Sequence, residues 1–230
     1  MWRLLAGSIA LVLLSGPSLA QEPKDTRPDA GFHPAEAVSI PKAGYGDPIF
    51  GVSYGTVVLE AKINEAGKIE DLEVRRDIPL LKPHVVRWLQ EWTFKPATLD
   101  GKAIPSIMTV AVTIMPTAYP AGNIPFPPLT QAKDRAETPP PFQPPEVVSA
   151  AFPRYPDNSV SCDTVVLEVN IDETGEAKHV KVVRDAAPFT SFAVDAVKKW
   201  KFQPATLDGK PVASQVILAF GFRPPLTGPI

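Results

Sequence analysis

The chain has 230 residues, a formal net charge of −2, 44% hydrophobic residues and one cysteine, apolar material enough for one or two ordinary domains. A single cysteine excludes a disulfide framework, a thiol redox pair and a thiolate zinc cage. Its 23 Lys+Arg against 25 Asp+Glu leave no basic footprint for nucleic acid or anionic lipid.

The N-terminus reads as a secretory signal peptide over 1–20. Arg3 precedes an apolar run from Leu4 to Leu14, Gly16-Pro17 breaks it, and Ser18-Leu19-Ala20 places small residues at −3 and −1. The run is too short for a span, which takes about 20 apolar residues, and no cysteine follows it for lipid modification. Cleavage after Ala20 is expected, giving an exported chain that begins at Gln21. Residues 21–37 read as a loose mature N-terminus. Cys162, alone after export, is expected to be either buried or able to pair between chains.

The rest of the chain is one unit written twice. Thr56-Val57-Val58-Leu59-Glu60 recurs as Thr164-Val165-Val166-Leu167-Glu168, and Pro96-Ala97-Thr98-Leu99-Asp100-Gly101-Lys102 as Pro204-Ala205-Thr206-Leu207-Asp208-Gly209-Lys210. Residues 56–114 align without a gap on 164–222 with about 23 identities, where chance supplies a handful.

In chain order, each copy reads as strand, strand, helix, strand. Val57, Leu59, Ala61 and Ile63 alternate with Thr56, Val58, Glu60 and Lys62, as Val165, Leu167, Val169 and Ile171 do later, the period of a strand with one buried face. Gly67 and Gly175 sit where a short hairpin loop needs positive φ. A second strand runs through Leu72 and Val74, or Val180 and Val182. The period then changes: Val85, Trp88, Leu89 and Trp92, and likewise Ala193, Ala196, Val197 and Trp200, form a helical stripe. Pro83 suits the first turn of the first helix, and Thr190 or Ser191 is expected to cap the second. The last strand alternates Met108, Val110, Val112 and Ile114, matched by Val216, Leu218, Phe220 and Phe222. Between the copies, Pro116 to Pro156 holds 12 prolines in 41 residues, a composition that favours extended polyproline II and spaces domains.

This pattern, with the x-x-Gly turn, the helix ending Trp-x-Phe-x-Pro-Ala and the Asp-Gly-Lys turn, resembles the TonB C-terminal domain. Copy two is the closer match, because Pro153-Arg154-Tyr155-Pro156 is similar to the Tyr-Pro element ahead of that domain. Copy one has only Tyr45 and Pro48, differently spaced. The resemblance implies an α+β fold of two tandem ββαβ domains, each a small antiparallel sheet packed on one helix. They are expected at 38–116 and 146–224, joined by a Pro-rich linker over 117–145. It also implies a periplasmic protein. Family members that transduce energy keep an N-terminal membrane helix with a functional histidine; here that segment has no histidine and is expected to be removed.

The side chains offer no catalytic constellation. Trp92, Phe94, Trp200 and Phe202 lie on the apolar sides of their elements and are read as core, not a stacking platform. The Asp-Gly-Lys pairs are turn chemistry. His33, His84 and His179 occupy non-equivalent positions, and no nucleophile-elbow, zincin or dinucleotide motif occurs. No enzyme, metal or cofactor is expected.

What remains is the sheet edge, where an extended peptide adds as a strand. The resemblance implies that the final strand does this for segments of outer-membrane receptors. The expected partner-binding residues are Ile107, Thr109, Ala111 and Thr113 in copy one and Gln215, Val216, Ile217, Leu218, Ala219 and Phe220 in copy two, flanked by Tyr155 and Pro156. Ile217 and Ala219 are out of phase with the core face. The same edges are open to another arrangement, pairing copy to copy or chain to chain. Three readings follow. The first is a periplasmic interaction module for peptides or receptor segments. The second is a structural envelope protein with self-paired edges. The third is an energy transducer, if the N-terminal segment is kept as an anchor.

Overall fold

The period change read from the sequence becomes a repeated run of elements. A computed structural model describes residues 32–43, 54–115, 142–156, 159 and 161–224. The signal-peptide expectation, Tyr45, Pro48 and most of the Pro-rich stretch lie outside them. The first repeat runs β1 (Phe32–His33), β2 (Glu36–Ser39), β3 (Gly55–Ile63), β4 (Ile69–Arg76), α1 (Lys82–Gln90), β5 (Thr93–Lys95), β6 (Ala97–Leu99), β7 (Lys102–Ile104) and β8 (Ser106–Ile114). The second runs β9 (Phe142–Gln143), β10 (Glu146–Ser149), β11 (Asp163–Ile171), β12 (Ala177–Arg184), α2 (Phe189–Val197), β13 (Lys201–Gln203), β14 (Ala205–Leu207), β15 (Lys210–Val212) and β16 (Ser214–Phe222). The chain is thus sheet-rich α+β with two helices among the described residues.

The β3–β4 and β11–β12 hairpins turn on glycines with positive φ, 72° at Gly67 and 85° at Gly175. At Gly67 an added Cβ would stand 1.8 Å from the Phe94 carbonyl oxygen, because the Phe94 amide donates to the Gly67 carbonyl at 2.9 Å. Gly67→Ala is therefore expected to cost about 2–4 kcal/mol, combining φ strain with a backbone clash. At Gly101, also at positive φ, a Cβ meets nothing within 4 Å, so Gly101→Ala should cost only about 1 kcal/mol. Urea unfolding of the two variants measures the difference.

The residue that closes each hairpin loop differs, a neutral amide in the first and a carboxylate in the second. Asn64 Oδ1 accepts from the amides of Ala66 and Lys68; its counterpart Asp172 accepts from the Thr174 hydroxyl and the amides of Thr174 and Glu176. The Thr174 hydroxyl, then the Glu176 amide, hold the Asp172 carboxyl well below its ordinary value. The folded loop thus binds the proton more weakly than the unfolded chain. Its contribution is complete above about pH 4 and fades as pH falls through the lowered value, whereas the amide of Asn64 does not titrate. Side-chain NMR titration should find Asp172 still charged at a pH where a free aspartate is protonated.

Both helices lay the expected stripe on the sheet. Val85, Trp88 and Leu89 are buried in α1, which starts with Pro83 in its first turn; Phe189, Ala193, Ala196 and Val197 are buried in α2. The expected cap of α2 is not formed. Pro188 precedes the helix without a side-chain cap, and Thr190 lies inside it, its hydroxyl accepting from the Ala186 amide and donating to Asp185. Trp92, Phe94, Trp200 and Phe202 are buried, with Trp92 edge-on to Trp88 at 4.9 Å and Trp200 edge-on to Phe220 at 5.7 Å.

The two expected sheets are one. Its six strands run β12-β11-β16-β8-β3-β4, antiparallel within each repeat and parallel at the β16–β8 junction. The register there pairs Val216 with Thr109, although the repeat equates Val216 with Met108. A one-residue step exchanges the faces of a strand. The core face of copy one therefore continues into the back face of copy two, and the helices lie on opposite faces.

Each core borrows from the other repeat. Val166, Ile217 and Ala219 join the cluster of Leu59, Trp92 and Val110; Val58, Ala111 and Met115 join that of Leu167, Trp200 and Phe220. The alternation was read as one buried face, yet β3, β8, β11 and β16 are buried on both. Covering both faces also requires an N-terminal arm for each repeat. β1 pairs with β6 and β2 with β5, as β9 pairs with β14 and β10 with β13. Trp88 Nε1 donates to the Pro41 carbonyl and Trp200 Nε1 to that of Ala151, at 2.9 and 3.1 Å. Residues 32–37, read as loose, belong to this arm. Its likeness, Phe-His-Pro-Ala-Glu-Ala-Val-Ser against Phe-Gln-Pro-Pro-Glu-Val-Val-Ser, is legible in the sequence.

Candidate functional site

The final strands are the expected binding edges, and their backbone is already paired. β16 lies between β11 and β8, and β8 between β16 and β3, so neither offers an open ladder. Val216, Ile217, Leu218, Ala219 and Phe220 have no exposed surface. In particular, Ile217 and Ala219 fill the core of copy one, which corrects their placement outside the core. Ala111 is fully buried on β8. Thr109 donates to the Pro145 carbonyl at 2.6 Å, and Thr113 exchanges a hydroxyl bond with Thr56 at 2.8 Å. Only Ile107 and Gln215, near the strand starts, are partly exposed.

Tyr155 and Pro156 do not flank an open edge either. Both are buried, with the Tyr155 ring 5.6 Å from Phe189 and its hydroxyl donating to the Ser161 carbonyl at 2.6 Å. The Tyr155 bond ties this segment to Ser161, two residues ahead of β11. Cys162 is exposed and free. Among the described residues no group of His, Cys, Asp or Glu is arranged for a metal, and no helix is long and apolar enough to cross a membrane.

The sheet ends instead at β4 and β12, which hold none of the expected partner-binding residues. In β4 the Leu72 amide donates to its neighbour Asp71 Oδ1 at 2.9 Å, away from the β3 ladder. Strand alternation then points the amides of Leu72 and Val74 outward, and the repeat does the same for Val180 and Val182. The Thr164 amide, bound to Asp163 Oδ1 at 2.7 Å, fits this phase on β11. The polar faces of the edges are held by ion pairs to the long strands. Arg75 meets Glu60 at 2.6 Å and Glu73 at 2.7 Å; Lys181 meets Glu168 at 3.3 Å and Glu36 of β2 at 3.5 Å. The Glu60 bond raises the affinity of Arg75 for its proton. For Lys181 burial works the other way, and the attraction of Glu168 and Glu36 outweighs it.

Comparison with known proteins agrees with this repeated pattern. The family model described as Gram-negative bacterial TonB protein C-terminal matches residues 53–113 and 151–224, more than half of the chain. The chain belongs to the TonB C-terminal family. No curated protein matches it. TonB C-terminal domains are non-catalytic protein-interaction domains of the envelope that meet outer-membrane receptors and other proteins. The second matched segment begins ahead of β11 and includes Tyr155 and Pro156. In this TonB-family chain the final strands, where the family resemblance placed partner binding, join one repeat to the other.

Proposed function

We propose that the protein is a non-catalytic periplasmic interaction protein that binds extended segments of envelope proteins, outer-membrane receptors among them, by strand addition at its outer strands β4 and β12. The observation that carries this reading is the parallel β8–β16 junction. It uses the backbone of both final strands internally and leaves the outer strands as the ends of the sheet. Main-chain bonds to an edge supply affinity and alternate side chains supply selectivity, so the reading needs no catalytic group and no cofactor.

The same junction favours a second reading, a structural role in envelope assembly in which the joined repeats form a rigid spacer. Capture from an envelope extract distinguishes the two. Full-length protein is expected to retain a partner that a folded Val74→Pro/Val182→Pro double variant loses. Retention by the double variant overturns strand addition and leaves the assembly role. Export with cleavage after Ala20 belongs to both readings, and sequencing the mature N-terminus should find Gln21. A retained segment points to the anchored transducer instead.

A further inference from the structure

The two outer edges are not equivalent, although the repeat makes them homologous. In β4 the outward Leu72 amide is occupied by the Asp71 carboxylate at 2.9 Å, and Leu72 and Val74 pack partly buried against the first core. In β12 the residue matching Asp71 is His179, which has no carboxylate to take the Val180 amide. Val182, the counterpart of Val74, is 43% exposed. The charge differs too: β4 carries Glu70, Asp71 and Glu73 with Arg75 and Arg76, whereas β12 carries Lys178, Lys181 and Arg184 and no acid.

We infer that β12 is the binding edge, and that its partner is an extended segment alternating apolar and acidic residues. This rests on the edge-binding reading above and adds the choice of edge and the chemistry of the partner. Val180 and Val182 share one face of the sheet, His179 and Lys181 the other. A strand added beside them presents its own alternate residues to the same two faces. Apolar side chains on one face cover Val182; carboxylates on the other meet Lys181. Lys181 is 46% exposed; its pair with the buried Glu168 at 3.3 Å holds the side chain in place, whereas its pair with the exposed Glu36 at 3.5 Å is a surface contact weak enough to be exchanged for another carboxylate. Lys178, bound to Asp172 and Glu176 at the exposed start of the strand, and Arg184, bound to Asp163 at its end, are matched within the chain, so Lys181 is the cation that the partner's carboxylate meets.

The probe is a fluorescent octapeptide alternating Val and Glu, with a Val/Lys octapeptide as control, added to the full chain at low salt. The acidic peptide should bind at least tenfold more tightly than the basic one, and high salt should weaken it. Val182→Pro, which removes an outward amide without touching the β11 ladder, should lower binding at least tenfold; Val74→Pro should change it less than twofold. Lys181→Gln, which removes the charge and keeps a hydrogen-bonding side chain, should lower it severalfold. Hydrogen exchange on the unaltered protein needs no proline variant. The amides of Val180 and Val182 should slow on peptide addition while those of Leu72 and Val74 do not. Slowing at β4 instead overturns the choice of β12 and keeps the edge reading. Peptide bound with no slowing at either edge overturns both. Equal binding of the basic peptide, or no binding of the acidic one, overturns the partner chemistry, while proline-sensitive capture of an envelope protein still upholds the edge reading.

Discussion

Neither repeat should fold when expressed alone. A fragment covering 142–230 lacks β8, so β16 loses its parallel partner and Ile217 and Ala219, fully buried in the chain, face water together with Val166. A fragment ending at Met115 exposes Val58 and Ala111 in the same way. Exposing several apolar side chains costs about 1.5–3 kcal/mol each, and a domain has only about 5–15 kcal/mol in total. Separate fragments are expected to show no cooperative melt, or to self-associate through the bared strands. Mixing them should restore a sharp transition and near-ultraviolet circular dichroism. Two fragments that each melt cooperatively as monomers would show that the junction is dispensable.

The second large effect concerns a side chain in one repeat that supports the core of the other. Trp200→Ala removes a ring packed on Phe202 and Phe220 and a bond to Ala151, and should cost about 3–5 kcal/mol. Ile217→Ala should cost about 2–4 kcal/mol, but its consequence lies in copy one, because the Ile217 side chain belongs to the cluster of Trp92. Tryptophan fluorescence and amide exchange should show loosening around Trp88 and Trp92 in the Ile217 variant and around Trp200 in the other. Both variants should still melt in one transition, since the six strands share their ladders. A change confined to copy two in the Ile217 variant would contradict the crossed cores.

Local chemistry was legible residue by residue. Gly67 and Gly175 carry the positive φ that their loops require, Asp100-Gly101 and Asp208-Gly209 make hairpin turns with both residues at positive φ, and the tryptophan stripes bury as their spacing says. These features depend on neighbours a few residues away, and the duplication states them twice. The family followed from the same motifs.

What the tertiary structure alone decided is how the copies meet, and with it which strands stand at the ends of the sheet. Alternation records that one face of a strand is buried and is silent about what covers the other. One signal was present: Val216-Ile217-Leu218-Ala219-Phe220 contains no polar residue, the composition of a strand covered on both faces. β8 carries no such mark, because Thr109 and Thr113 satisfy their hydroxyls within the protein and look like solvent-facing residues in sequence. The parallel junction is made by backbone groups, which every residue possesses, so no side-chain pattern announces it. Its one-residue step relative to the repeat sends the helices to opposite faces, closes the final strands and leaves β4 and β12 as the two ends of the sheet.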